Sequence, residues 1–490
     1  MKKYIISKLF LYRYRFHFGY ALLALAFVFL VLALPEISTH GLSEAEMQSA
    51  VDSYNLHLSS ITSSNLIDLP YHILQKLSIL AFGFTTFAIK LPSIIIATGL
   101  GFLLVLILNR WFKSNVALLS SILTILSIPF LYLAGSGTPE IMVVFWPSLL
   151  LWLGSKIQGE RKPRASFCFI FAFILLFSIF TPHMIYLAIF IVLYVLMNPH
   201  LRFTVKNLPK LPFASFCLII VLGLIVLILN FITNPNIAIK LFFAEDLSFG
   251  SYFNNIGSSL SPFFSWNNSS EGVYLTPLIG LPMLFLAFTG LFSTVKSFFA
   301  SRNSIATYLI VFTLFISGFS PDSALLLIIP LSILVAHGLK YVLEKWYGLF
   351  PENPYARIFG IVPISTFIII MIVSGLSHFI FGYRYTPAVA NCFNNDLELV
   401  TELDPETVLI IEPDTLNYNF YKAYEDRTHR VTVLTPKSEN LPKNFATIGK
   451  LTFEEKSPLK SSALQEIITS PKSTNSDRIY LYTEKPTKTE

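Results

Sequence analysis

The chain has 490 residues, of which 54% are hydrophobic and only 13% charged, with 46 Phe and 22 Tyr. Soluble domains carry roughly 25% charge, so the composition is that of a polytopic membrane protein. A net charge of +6, mostly in loops, excludes a nucleic-acid binder, and three Cys exclude a disulfide scaffold.

The first apolar run, near Gly19–Leu34, has basic flanks and no small-residue cleavage site before Pro35, so it reads as a retained anchor. Roughly 50 residues then precede the next span, too many for a simple connector. Within them Ser43-Glu44-Ala45-Glu46 spells a capping box. Met47, Ala50, Val51 and Tyr54 follow at helical spacing. A second helix is expected from Pro70, with Ile73, Leu74, Leu77 and Leu80 on its apolar face. Both helices are expected to lie along the outer membrane surface. Glu44 occupies the first turn, where the dipole favours an ionised carboxylate. It can complement the dipole, accept a proton from a hydroxyl acceptor or hold a cation. Glu46 reads as the capping partner.

Further apolar runs centre on Leu91–Asn109, Val116–Ala134, Ile141–Leu153, Ser166–Phe180, Ile185–Met197, Phe213–Phe231, Tyr274–Leu291, Ile305–Ile316, Ala324–Leu339 and Ile358–Phe381. With the anchor this makes about eleven spans. No clear charge sits in the middle of any, which argues against an ion-coupled pump. With the N-terminus in the cytoplasm, inner segments hold 19 Lys and Arg, and outer segments before Tyr383 hold only Lys76, Lys90 and Lys240. The same orientation puts 10 of the 13 carboxylates before Tyr383 outside. They either fill the side that cations avoid or build an acidic site there.

The outer stretch from about Thr233 to Gly272 is polar and aromatic and long enough to be functional. Tyr252, Phe263, Phe264 and Trp266 suit either sugar stacking or an interface belt. Asn267–Ser270 carries N-glycosylation patterns. From Tyr383 the composition turns charged and soluble. Strands are expected at Thr407–Ile411, Arg430–Leu434 and Arg478–Thr483, and helices at Leu416–Glu425 and Ser462–Thr469. The organisation expected is therefore a transmembrane domain over 1–382 with a long first outer loop at 36–89. A small outer α/β domain over 383–490 follows, with a stabilising or acceptor-binding role.

The segments HGLSEAEMQSAVDSY, DLPYHILQKLSILAFGFTTFAIKLPS and SGTPEIMVVFW resemble the GT-C membrane glycosyltransferases. The branch is the protein O-mannosyltransferase and aminoarabinose-transferase group, glycosyltransferase family 39. Residues 15–200 carry the resemblance. The fold class it implies is an all-α polytopic GT-C-like protein with an extracytoplasmic α/β domain. The family's Asp-Glu pair falls on Ser43-Glu44, so Glu44 matches and Ser43 does not. The resemblance implies a catalytic role for Glu44, either alone or with Asp52, Asp68 or Glu140 as helpers. It also implies a polyprenyl-phosphate sugar donor and a protein, lipid or polysaccharide acceptor.

Positive charge must meet the leaving lipid phosphate. Lys240, Arg384 and Lys90 are the candidates, or a divalent ion (Mg or Mn), the one cofactor considered. His183 sits where relatives often meet the lipid phosphate. Each has a plain alternative: Lys90 snorkelling, Arg384 anchoring a span, His183 structural. The resemblance implies an enzyme, and Lys-, Ile- and Ser-rich usage without secretory processing points to a bacterial plasma membrane. The rivals are an inactive relative that binds lipid-linked sugar or an envelope partner, and a lipid-linked sugar flippase.

Overall fold

A computed structural model of the chain describes residues 28–29, 41–56, 66–159, 165–206, 210–233, 235–242, 248–265, 275–296, 301–319, 321–349, 354–405, 407–413, 415–436, 442, 444–448, 462–469 and 478–484. The expected first anchor, Trp266 and the 267–270 glycosylation patterns fall outside them, apart from helical Val28 and Phe29.

The first outer loop opens with strand β1 (Leu42–Ser43) and helices α1 (Glu44–Tyr54) and α2 (Leu69–Phe82). The membrane region follows as α3 (Thr86–Trp111), α4 (Ser114–Ile125), α5 (Ile128–Gly135), α6 (Glu140–Gly159), α7 (Ala165–Ser178) and α8 (Met184–Met197). It continues through α9 (Pro199–Lys206), α10 (Lys210–Thr233), α11 (Pro235–Phe242), α12 (Phe249–Phe264), α13 (Leu281–Lys296) and α14 (Ser301–Ser317). A 3-10 turn (Pro321–Leu327) leads into α15 (Ile328–Leu349), then α16 (Pro354–Tyr385). Thr86–Trp111, Glu140–Gln158, Ser323–Leu349 and Val362–Tyr385 are each long and apolar enough to cross a membrane. Shorter apolar helices stand among them, including Met184–Met197 and Leu281–Lys296.

One expected span is broken. The run Val116–Ala134 folds as α4 and α5, bent by 61°. Pro129 explains the break: it has no N–H for the carbonyl four residues back, and its ring would strike that carbonyl. The stretch expected as a polar loop after Thr233 is largely helical, as α11 and α12. Tyr252 there donates its hydroxyl to the Phe315 carbonyl at 2.9 Å.

Helices α13 and α15 meet backbone to backbone. A Cβ on Gly290 would overlap the Leu334 carbonyl, and one on Gly338 would overlap the Leu286 carbonyl. Small residues permit this approach where lipid offers no hydrophobic drive for helix pairing. Gly338→Val is expected to cost about 1–3 kcal/mol through overpacking. A lowered thermal midpoint in detergent would show it, and a midpoint equal to wild type would contradict the close approach.

The tail carries α17 (Pro387–Ala390), β2 (Phe393–Asn394), α18 (Asp396–Glu402), β3 (Thr407–Ile410), α19 (Leu416–Thr428), β4 (Val431–Leu434), β5 (Asn444–Ile448), β6 (Ser462–Ile468) and β7 (Ile479–Glu484). Five strands form a mixed sheet in the order β4-β3-β5-β7-β6. β3 runs parallel to β4 and β5, while β7 is antiparallel to β5 and β6. The helix expected at Ser462–Thr469 is strand β6. Pairing along β7 outweighs the weak helical preference of Ser-Ala-Leu-Gln-Glu-Ile-Ile. Strand β5 escaped the sequence reading altogether.

The first loop and the tail share one core. Leu42, Met47, Ala50, Val51, Ile79 and Phe84 pack with Leu397, Val400, Phe420, Tyr421 and Tyr424. The Phe84 ring meets Phe420 edge-on at 5.1 Å. β1 pairs antiparallel with β2, Leu42 opposite Asn394. The apolar face of α1 is therefore covered by protein rather than by the membrane surface. On α2 the polarity is reversed. Tyr71, His72, Gln75 and Ser78 are buried, and Ile73, Leu74, Leu77 and Leu80 are exposed. An apolar face left outward beside apolar spans is what an interfacial helix presents to lipid.

Candidate active site

The loop is held over the membrane region by one carboxylate. Ser43 caps α1 by accepting from the Glu46 N–H at 3.3 Å, and Glu46 Oε2 accepts from the Ser43 N–H at 2.7 Å. The expected capping box is thus present. Glu46 Oε1 also accepts from the Gly137 N–H at 2.6 Å and lies 3.6 Å from Lys90 Nζ. Both side chains are buried. The Lys90 ammonium also stands 5.7 Å over the Phe393 ring. α1, α3, the turn before α6 and β2 are joined at this point.

Gln75 completes the joint. Its Oε1 accepts from Ser49 at 2.8 Å and Ser53 at 2.6 Å. Its Nε2 donates to the Ile89 carbonyl at 3.0 Å and the Gly137 carbonyl at 2.9 Å. All four bonds of the buried amide are made. Ser53 spends its one proton on Gln75, so His72 Nδ1, 2.8 Å away, must carry the proton between them. Burial holds the His72 pKa down to about 4, so that ring is neutral.

Deeper in, the Tyr71 hydroxyl shares a hydrogen bond with Ser93 Oγ at 2.8 Å. Burial raises its pKa, and so, to a lesser degree, do the charges of Glu46, Glu140 and Asp68. Asp68 caps α2 from a left-handed conformation, φ 52°. Its N–H donates to the Phe180 carbonyl at 2.9 Å. Its carboxyl hydrogen-bonds with Thr181, whose Oγ1 accepts from Trp146 Nε1 at 3.0 Å. Asp68 Oδ1 is buried with no hydrogen-bond partner among the described residues. Burial pushes its pKa up to about 8, so at pH 7 it is protonated and can donate a hydrogen bond.

This has a measurable sign. A carboxyl raised from its ordinary 3.8 stabilises the fold fully below that value. That stability is lost as pH rises toward about 8. Between those limits stability should fall by about 1.4 kcal/mol per pH unit. The thermal midpoint of wild type should fall from pH 5 to 9, and that of Asp68→Asn should fall less. Parallel curves for the two proteins would show that Asp68 is ionised when folded.

The sequence-predicted residues fall into two sets. Around the Glu46 joint stand Glu44, Glu140, Asp68 and Lys90. Glu44 is exposed on the first turn of α1, two residues from Glu46, and its charge acts on Cys392. Glu140 is half-buried at the start of α6, three residues from Gly137. Lys90 is taken up by Glu46. Lys240 is exposed at the end of α11, and its charge acts on Asp52 of α1. Arg384 is exposed at the end of α16, over the Tyr385 ring at 5.6 Å. His183 is buried and stacks on Phe319 at 6.1 Å. Its pKa is held down to about 4 by burial. Sequence reasoning missed Tyr71, Gln75 and Ser93. The signal available was the polar stripe Tyr71-His72-Gln75-Ser78 on α2, opposite its leucines.

Residues 70–227 match the sequence model of the dolichyl-phosphate-mannose-protein mannosyltransferases. No curated protein matches the chain. Among solved structures it resembles ArnT from Cupriavidus metallidurans bound to undecaprenyl phosphate, with TM-score 0.55 and 14% identity. That likeness covers 95% of this chain and 98% of that one. The apo form of the same protein gives 0.56 and 13%, over 86% and 87% of the two chains. The oligosaccharyltransferase of Archaeoglobus fulgidus gives 0.50 and 11%, over 83% of this chain and 64% of its own.

The chain has the GT-C fold.

In this GT-C frame the matched segment begins at Pro70 on α2 and ends within α10, so it covers Lys90, Glu140 and His183. Glu44 and Asp68 lie just before it, and Lys240 and Arg384 beyond it. Among the described residues, no three His, Cys, Asp or Glu side chains gather closely enough to hold a metal ion. Glu46 is committed to Ser43, Gly137 and Lys90 in any case.

Proposed function

We propose that this GT-C protein transfers a sugar from a polyprenyl-phosphate donor to a hydroxyl acceptor at the outer face of the membrane. The observation that carries the reading is the Glu46 joint. It fixes α1, whose first turn carries the exposed Glu44, to Gly137, three residues before Glu140. The undecaprenyl phosphate of the structurally similar ArnT supports the class of donor. The excess of Lys and Arg on one side supports an N-terminus in the cytoplasm and a tail outside; residue usage supports a bacterial plasma membrane.

In the proposed step the acceptor oxygen attacks the anomeric carbon and Glu44 takes its proton. The bond from that carbon to the phosphate oxygen breaks, and the lipid phosphate leaves with the electron pair. Lys240 and Arg384 are the exposed cations assigned to it. Asp68, protonated at pH 7, serves as a hydrogen-bond donor rather than a base. No step is routed through a metal. A second reading, a binding-only relative, is favoured by Ser43, whose side chain is spent on the helix cap.

The test is transfer by the purified full chain from a labelled panel of polyprenyl-phosphate sugars, with and without added Mg or Mn. Label should pass to a water-soluble or lipid acceptor. Folded, lipid-bound protein that transfers nothing from any donor would leave the binding-only relative. Donor flipping in vesicles without transfer would favour the flippase.

A further inference from the structure

A cavity of about 450 Å³ lies between α6, α7, α8, α9 and α14, far from the carboxylates. Its lining runs along α6 from Pro147 to Gln158. At 1.5 Å per residue that is about 16 Å, close to half the apolar thickness of a bilayer. Gln158 is 18 residues along the helix from Glu140, or about 27 Å. The cavity therefore opens at the membrane face opposite Glu44 and Glu140. Its walls are almost wholly apolar, and no carboxylate lines it among the described residues.

Three features distinguish it from an ordinary seam between spans. First, α9 is a short surface helix that turns Leu201 and Val205 into the cavity and leaves Arg202 and Lys206 exposed beside its mouth. Second, the rim on α6 is basic as well. Arg110 donates to the Ser155 carbonyl at 2.8 Å, and Lys156 stands 5.8 Å over the Trp152 ring. Third, Tyr194 lines the cavity three residues before the end of α8. Its hydroxyl is buried and has no hydrogen-bond partner among the described residues.

We propose that this is a site for one anionic glycerophospholipid, with an acyl chain in the cavity and its phosphate at Arg202 and Lys206. The length of the lining fits a chain of one leaflet. The basic mouth complements an anionic headgroup. The Tyr194 hydroxyl stands where an ester carbonyl lies, just below the phosphate. A polyprenyl tail has no oxygen at that depth to accept from Tyr194. The site is independent of the sugar-transfer reading, because none of its residues belongs to the Glu46 joint.

The experiment is native mass spectrometry of the delipidated full chain, titrated separately with phosphatidylglycerol and phosphatidylcholine. One saturable phosphatidylglycerol adduct is expected, with phosphatidylcholine weaker. The preference should fall about fivefold for each basic side chain removed in Arg202→Ala/Lys206→Ala. Gly154→Leu should abolish the first adduct. A Cβ at Gly154 meets only Phe171, 3.9 Å away, so the backbone tolerates it while the rest of the side chain fills the cavity. If Gly154→Leu does not fold, the double alanine variant, altered only at exposed positions, carries the test. Equal binding of both lipids, unmoved by Arg202→Ala/Lys206→Ala, would mean non-specific boundary lipid and overturn the site. So would a phosphatidylglycerol adduct that persists undiminished in folded Gly154→Leu.

Discussion

Glu44→Gln is expected to lower sugar transfer by about 10²–10⁴-fold, the usual contribution of a positioned general base. Glutamine keeps the shape and the helical position but cannot take the acceptor's proton. Glu44 is exposed and its side chain lies outside the Ser43, Gly137 and Lys90 contacts of Glu46, so the variant should melt with wild type. The loss should fall on kcat more than on KM, because the missing interaction belongs to the transition state. Glu140→Gln in parallel separates the two carboxylates. If Glu44→Gln transfers at the wild-type rate and Glu140→Gln does not, the base is Glu140. If neither variant moves the rate, neither carboxylate takes the proton.

The second large effect is on stability. Glu46→Ala is expected to destabilise the protein by about 3–5 kcal/mol, because it removes the carboxylate that stands 3.6 Å from the buried Lys90 ammonium. It also strands the N–H groups of Ser43 and Gly137, which the carboxylate satisfies at 2.7 and 2.6 Å. The companion variant is Glu46→Gln/Lys90→Met, which removes both charges and keeps one acceptor. It should melt above Glu46→Gln alone. With Lys90→Met alone and wild type, these variants close a double-mutant cycle that isolates the ion pair from the hydrogen bonds. Additive single-variant effects across that cycle would mean the 3.6 Å pair contributes nothing. The two experiments also separate holding from chemistry: Glu46 variants should lose thermal midpoint, and Glu44 variants should lose rate.

Much of the outer loop is legible in residue order. Ser43 and Glu46 stand three apart, which is all a capping box needs, because the contact closes within one turn. Pro70 marks the start of α2 for a similarly local reason. The role of Glu46 beyond the cap is not legible. Its second oxygen meets Gly137, 91 residues away, and no local pattern records such a pairing. Lys90 was expected to snorkel or to meet a phosphate. Its burial against Glu46 depends on where α1 lands. Gln75 reads as an ordinary polar residue on an amphipathic helix, yet it is the hub of four bonds reaching Ser49, Ser53, Ile89 and Gly137.

The amino-acid order alone determined that the chain is a membrane protein and where most apolar helices run. It determined the likeness to GT-C enzymes and the cap of α1. Each of these is written in composition, in short-range spacing or in contiguous runs, and needs no distant partner. Tertiary structure decided the rest. It broke the 116–134 run at Pro129, turned 462–468 from helix to strand, and put the first outer loop and the tail into one core. It sorted the carboxylates into one that holds, Glu46, one protonated by burial, Asp68, and two near the rim, Glu44 and Glu140. Burial and ion pairing set what a carboxylate can do, and both arise only when residues far apart in the chain close around it.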